Sequence, residues 1–207
     1  MNVATSSGTR LHWLDSALSR METCETPFPH SQIDDVLDEA AALELLCWLE
    51  QYTSWQLKQG DWHAYESTGT MPPQRLRSAG MGWIVAPETI EIISEHLGRI
   101  FQKKMRPGAF QVEAHRMSAG QWIGRHNDTP TEGRRTHRFV ITLGRTGVRG
   151  GELVLLGNEN ANLPLPISSR HNSAIAMEFS PMSYHRVEPV EEGFRYSLVF
   201  SFWKQEP

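Results

Sequence analysis

Trp122-Ile123-Gly124-Arg125-His126-Asn127-Asp128 is the stretch whose reading decides the fold. In an extended strand, residues two apart point to one face, so His126 and Asp128 can reach a single ion together while Asn127 turns away. A second histidine is then needed. His185 supplies it, ahead of the strand-like run Phe194-Arg195-Tyr196-Ser197-Leu198-Val199-Phe200. Two imidazoles and one carboxylate on one side of an ion leave three coordination positions open, and open positions are where chemistry takes place.

A His-x-Asp triplet is weak by itself, because about one such triplet arises by chance in a chain with this many histidines and acids. Here only His126 heads one, and the weight lies in its flanks. Gly120 stands six residues before it, and Gly150-Gly151-Glu152-Leu153 comes after it. Then come His185-Arg186-Val187-Glu188-Pro189-Val190, Gly193, Arg195-Tyr196-Ser197 and an aromatic finish at Phe202-Trp203. In this order the sequence resembles the 2-oxoglutarate- and Fe(II)-dependent dioxygenases, in their prolyl-hydroxylase-like branch. The resemblance covers residues 28 to 203 in its order of elements, with the specific motifs between Gly120 and Trp203.

The resemblance implies a mainly β protein with flanking helices, a double-stranded β-helix of the jelly-roll, cupin-like kind. It implies Fe(II) held by His126, Asp128 and His185, which are then also the catalytic residues, with 2-oxoglutarate and O2 as cosubstrates. Alternation along the last strand agrees. Arg195 and Ser197 share a face, so a planar guanidinium and a hydroxyl can converge on one carboxylate, while Tyr196, Leu198, Phe200 and Phe202 face the other way and pack beneath helices. By resemblance, that carboxylate is the distal one of 2-oxoglutarate. Related halogenases leave the Asp128 position vacant for halide, so its presence points to hydroxylation.

Two positions depart from the family pattern. Many relatives carry a cosubstrate-binding tyrosine where this chain has Met117, which cannot donate a hydrogen bond. His115, two residues earlier on the same strand face, is the candidate replacement. Alkylation-repair demethylases carry a second arginine six residues after the cosubstrate arginine, and here that position is Ser201. This argues against the nucleic-acid branch.

At 207 residues and 39% hydrophobic, the chain can bury a core and reads as one domain over 1–207, with residues 1–10 a flexible polar leader. A net charge of −4 gives no global basic footprint for nucleic acid. Two cysteines, Cys24 and Cys47, make no disulfide framework and fit a reducing compartment, with cytoplasm the default. No apolar run has the length of a membrane span. The sequence leaves the oligomeric state open.

Leu11–Leu18 reads as either a strand or a short helix. Asp38 caps a helix with Ala41, Leu45, Leu46, Trp48 and Leu49 on its apolar face. Residues 53–83, rich in aromatics, Gly and Pro, read as strands joined by substantial loops over the site mouth, where substrate is recognised. Pro87 to Phe101 reads as an amphipathic helix, and strands are expected at 110–117, 122–128, 138–143, 152–156, 173–179 and 194–203. The basic run from Glu132 to Arg138 reads as a loop bordering the entrance, and Arg77, Arg125 and Arg138, with Arg135, are candidates for a substrate carboxylate. His30, His63, His96, His137 and His171 read as ordinary surface or core histidines.

Each residue also has a bland reading: a solvated His126/Asp128 pair, a hydrogen-bonded loop histidine at 185, a surface ion pair at Arg195. Order and flanking glycines together favour the metal site. The leading expectation is hydroxylation of an unactivated C–H in an amino acid, peptide or protein side chain, with release of succinate and CO2. The rivals are a nucleic-acid oxidative demethylase and a non-catalytic jelly-roll binding module.

Overall fold

A computed structural model describes residues 7–128, 135–158 and 164–206. The chain runs α1 (Ser7–Ser19), β1 (His30–Ile33), α2 (Glu39–Gln51), the hairpin β2 (Gln56–Gly60) and β3 (His63–Ser67), α3 (Pro73–Ser78), a 3-10 turn (Gly82–Val85) and α4 (Pro87–Phe101). Strands follow: β4 (Met105–Ser118), β5 (Trp122–Asn127), β6 (His137–Gly144), β7 (Arg149–Gly150), β8 (Leu153–Leu155), β9 (Leu165–Ile167), β10 (Ser173–Glu178), β11 (Tyr184–Val187), β12 (Val190–Glu192) and β13 (Phe194–Lys204).

The main sheet is antiparallel throughout and runs β1-β10-β6-β13-β4-β3-β5-β11-β8-β9, with β2 attached to β3. β3 joins its two halves. Glu66 and Ser67 pair with β4, whereas His63 and Ala64 pair with β5, so one short strand carries the sheet round from the β13 side to the β5 side. This is the jelly-roll architecture expected from the sequence.

Alternation along β13 separates two cores. Tyr196, Leu198, Phe200 and Phe202 pack under the helices with Phe139, Ile141 and Leu143 of β6. Val199 points inward to a smaller cluster with Met117, Val140, Ile175, Met177, Leu155 and Val187. Phe139, Phe200 and Phe202 are almost fully buried, and each such side chain contributes roughly 1.5–3 kcal/mol. The outer core fastens the helical layer; the inner one leaves space between the sheet halves for a site.

The helices form for local reasons. Asp38 caps α2, accepting from the Ala41 N–H at 3.0 Å, and Ala41, Leu45, Leu46 and Leu49 are buried with Trp48 packed beside them. Pro87 opens α4, whose Ile90, Ile93, Leu97 and Ile100 turn to the sheet. The open choice at Leu11–Leu18 resolves as helix α1, with Leu14 and Leu18 buried. Residues 7–10 of the expected leader belong to that helix, and residues 1–6 lie outside the described residues.

The strands-and-loops expectation for 53–83 holds for β2 and β3 only. Beyond them the chain is helical at α3 and the 3-10 turn. The Pro72-Pro73 pair that read as loop punctuation puts Pro73 in the first turn of a helix, where its missing N–H costs nothing.

Candidate active site

His126 and His185 are brought together by β5 and β11, whose register pairs them directly. The register then slips, so that Val187 faces Ile123 and the β5 side holds one extra residue. Such a bulge re-aims a side chain. Ile123 packs inward, His126 also turns to the site, and Arg125 between them is exposed. Gly124 allows this, because a Cβ there would stand 2.7 Å from the Trp62 carbonyl, which accepts the Gly124 N–H at 2.6 Å.

Both imidazoles are aimed in the same way. His126 Nδ1 donates to the Gly124 carbonyl at 2.9 Å and His185 Nδ1 to the Ser183 carbonyl at 2.9 Å. A carbonyl can only accept, so each ring carries its proton on Nδ1 and leaves the Nε2 lone pair free for a metal. The Nε2 atoms lie 3.8 and 3.6 Å from Asp128 Oδ2, and the donor atoms of the three residues fall within 4.8 Å of one another. Burial lowers the pKa of both histidines, that of His185 to about 3, which keeps them neutral as ligands must be.

Asp128 provides the test of fit. Its Oδ2 is buried and has no hydrogen-bond partner among the described residues, although Arg138 Nη1 is 2.9 Å away in a close charge contact. Burial pushes the carboxyl up, but Arg138, His185, His126 and Arg135 together outweigh it and hold the group below its ordinary value. An ionised oxygen without a hydrogen bond, facing two imidazole lone pairs, suits a divalent cation.

On the opposite sheet half, Arg195 is 7% exposed. Its Nη1 donates to Ser197 Oγ at 2.7 Å and its Nη2 to Thr142 Oγ1 at 3.4 Å, while its Nε has no partner. No carboxylate lies within ion-pair distance among the described residues, and burial pulls its pKa down to about 10 against a weaker upward pull from Glu152. A buried cation held only by hydroxyls is costly unless an anion joins it. Gly151 makes room for it: at φ +76°, a Cβ there would meet Arg195 Cδ at 2.9 Å.

Between these two poles the inner face carries His115, the expected cosubstrate contact, and residues that the sequence reading did not assign. His115 pairs in register with Ser197, and the unassigned Glu113 lies two residues along, its Oε1 3.5 Å from His115 Nε2. Burial raises the Glu113 pKa, but the His115 contact and the arginines 138 and 135 override it, to about 2. Tyr65, from β3, lies beside His115 with ring centroids 4.8 Å apart, bringing a phenol to an interior where Met117 has none. Alternation from His115 leads to Glu113, and from Arg138 to Thr142. Tyr65 comes from a distant strand and has no such signal.

The three substrate candidates separate. Arg138 does not lie in an entrance loop; it is a strand residue of β6, buried at 9% exposure, pointing inward against Asp128 and 5.0 Å from the Phe179 ring. Arg125 is turned outward by the bulge. Arg77 lies on α3 beside α4 and the start of β4, on the helical side, and is not brought to the site. Residues 132–134 of the basic run lie outside the described residues.

No curated protein sequence matches the chain. Its fold is similar to that of a prolyl-4-hydroxylase from Pseudomonas putida, at 15% identity over 95% of this chain and 100% of that one, with a TM-score of 0.67. A prolyl hydroxylase from Trichoplax adhaerens, in complex with a hypoxia inducible factor peptide fragment, matches at 16% identity over 93% and 88%, with a TM-score of 0.69. A viral collagen prolyl hydroxylase from Paramecium Bursaria Chlorella virus-1 matches at 16% identity over 84% and 94%, with a TM-score of 0.61. Residues 112–203 match the family model of the 2OG-Fe(II) oxygenase superfamily, a span that takes in the three metal-site residues, Arg195 and Ser197. The family supplies Fe(II), 2-oxoglutarate and O2. Over residues 112–203 the chain is therefore similar to the 2-oxoglutarate- and Fe(II)-dependent dioxygenases, and the triad and the buried arginine both fall inside that match.

Proposed function

We propose that this chain is a 2-oxoglutarate- and Fe(II)-dependent dioxygenase that hydroxylates an unactivated C–H bond of an amino acid, peptide or protein side chain, releasing succinate and CO2. The observation that carries the reading is Arg195: a buried guanidinium without a carboxylate partner among the described residues, on the same strand face as Ser197 and across the sheet from the metal triad. Arg195, Ser197 and Thr142 bind the distal carboxylate of the cosubstrate, with His115 beside them. His126, Asp128 and His185 hold Fe(II), which activates oxygen when bound. The carbonyls of Gly124 and Ser183 keep both imidazoles in the ligating tautomer, and the inner apolar cluster limits water at the reacting centre.

The peptide bound to the Trichoplax adhaerens enzyme supports this substrate class. Placement in a reducing, cytoplasmic compartment belongs to the same reading and agrees with free Cys24 and Cys47. Among the described residues no helix is long and apolar enough to cross a membrane.

The test is succinate formation from 2-oxoglutarate in protein prepared without oxygen and then given Fe(II) and air, with His126→Ala and Arg195→Ala alongside. Turnover in the wild type that both variants lose supports the assignment. A wild type that binds neither iron nor 2-oxoglutarate defeats it in favour of a binding module.

A further inference from the structure

Two opposite charges face the interior beside the metal triad without touching each other. Arg138 of β6 and Glu113 of β4 lie on either side of β13, in register with Ser201 and Val199 respectively, so both point inward from neighbouring rows of the wall. No ion pair joins them. Glu113 meets His115 at 3.5 Å, and Arg138 meets Asp128 at 2.9 Å. Between them the wall carries the apolar Val140, Val199, Ile175 and Met177, with the hydroxyl of Ser201 in the Arg138 row. Yet the Glu113 side chain keeps 24% of its surface accessible, and Gln111, in register with Ser201, is exposed, so this end of the interior is open.

Charge balance shows what these groups lack. A divalent metal and Arg195 bring three positive charges; Asp128 and a dianionic cosubstrate bring three negative ones, and that set is neutral. Once the metal takes up the Asp128 charge, Arg138 and Glu113 feel each other across the interior, but neither has an opposite charge in direct contact. Buried charges without a contact partner are costly. The ligand that satisfies both carries one carboxylate and one ammonium and is neutral overall. Arg135, 3.8 Å from Asp128 and 37% exposed, is solvated at the rim and adds pull on the carboxylate end.

We propose that Arg138 and Glu113 form a subsite for the zwitterionic headgroup of a free α-amino acid, its carboxylate on Arg138 and its ammonium on Glu113. This rests on the oxygenase reading and narrows it, since an internal residue of a protein has neither group. The headgroup then fixes which side-chain carbon faces the metal.

The test is calorimetric titration, under argon, of protein loaded with Mn(II) and 2-oxoglutarate. Each of the twenty proteinogenic L-amino acids is tried, and then the N-acetyl and carboxamide forms of any that bind. The expected result is binding of at least one free amino acid, weakened roughly tenfold or more by either cap, because a charged hydrogen bond is removed in each case. Glu113→Gln should abolish the preference for the free amine while Arg138→Lys blunts the preference for the carboxylate. The capped ligands on wild type give the same answer should a variant not fold. Equal binding of free and capped forms, or no binding by any of the twenty, overturns the subsite while leaving the oxygenase reading intact. Failure of the Mn(II)-loaded protein to bind 2-oxoglutarate at all overturns both.

Discussion

Arg138 Nη1 lies 2.9 Å from Asp128 Oδ2, so the carboxylate of the metal triad is already faced by a cation from the neighbouring sheet half. Removing that cation leaves a buried carboxylate without compensation, which costs about 3 kcal/mol for a broken buried pair. Arg138→Met should therefore lower the melting temperature of metal-free protein by roughly 6–12 °C. Added Mn(II) should raise it more in the variant than in the wild type, because the ion replaces the missing charge. Equal metal-induced shifts would show that the contact carries no such coupling.

Arg195 has the opposite balance. It is buried, without a carboxylate partner among the described residues, and so it costs stability until a ligand arrives. Arg195→Met should weaken 2-oxoglutarate binding roughly 30-fold or more, the scale for truncating a buried charged hydrogen-bonded pair. The same change should leave ligand-free stability equal or higher. Anaerobic titration and thermal melting measure the two effects, and a large loss of stability in the ligand-free variant would contradict the account.

Gly151 lies against Arg195 and Val190. An alanine there faces a left-handed φ of +76°, a strain of roughly 1–2 kcal/mol, and pushes on Arg195 Cδ. Gly151→Ala should lower affinity for 2-oxoglutarate while leaving that for Mn(II) within about twofold, since additivity holds for sites without shared partners. Parallel loss of both affinities would mean general misfolding.

His137 should add to the acid sensitivity that the metal-free protein already draws from buried His185 at moderate pH. It is fully buried on the helical side against Phe101, and burial, with Lys103 and Lys204 nearby, lowers its pKa to about 4. The unfolded chain takes up the proton near its ordinary value of about 6.5. The folded state resists that protonation, so stability present above about 6.5 declines as pH falls toward 4, by about 3 kcal/mol in all. His137→Leu should flatten this part of the denaturation profile. Glu113, with a pKa of about 2, and Asp128, also lowered, lose their contributions at more acid pH. A variant with an unchanged slope between pH 6.5 and 4 would refute the assignment.

The clustering of His126 with Asp128 and the shared inward face of Arg195 and Ser197 were legible because period-two alternation acts over a few residues. His126 with Asp128, and Arg195 with Ser197, need only an extended backbone to share a face. Alternation also divided β13 correctly between helix-facing Phe200 and site-facing Ser197. What stayed hidden depends on register between distant strands. Nothing local in the sequence places Arg138 opposite Ser201, and so near Asp128, or Tyr65 beside His115. Arg77 attracted attention by charge alone, and α3 carries it to the helical side. Pro72-Pro73 read as an interruption because proline marks a loop and a helix start equally well.

The two clustered histidines, His126 and His185, take their orientation from carbonyls only two residues upstream, at Gly124 and Ser183. Each strand therefore holds its own aiming device within three consecutive residues, independent of the walls that face the substrate. In evolutionary terms the aiming of the imidazoles is portable: the lining at Glu113 and Tyr65 can be exchanged for a new substrate without rebuilding the tautomers on which metal affinity depends, whereas Arg138 stays tied to Asp128.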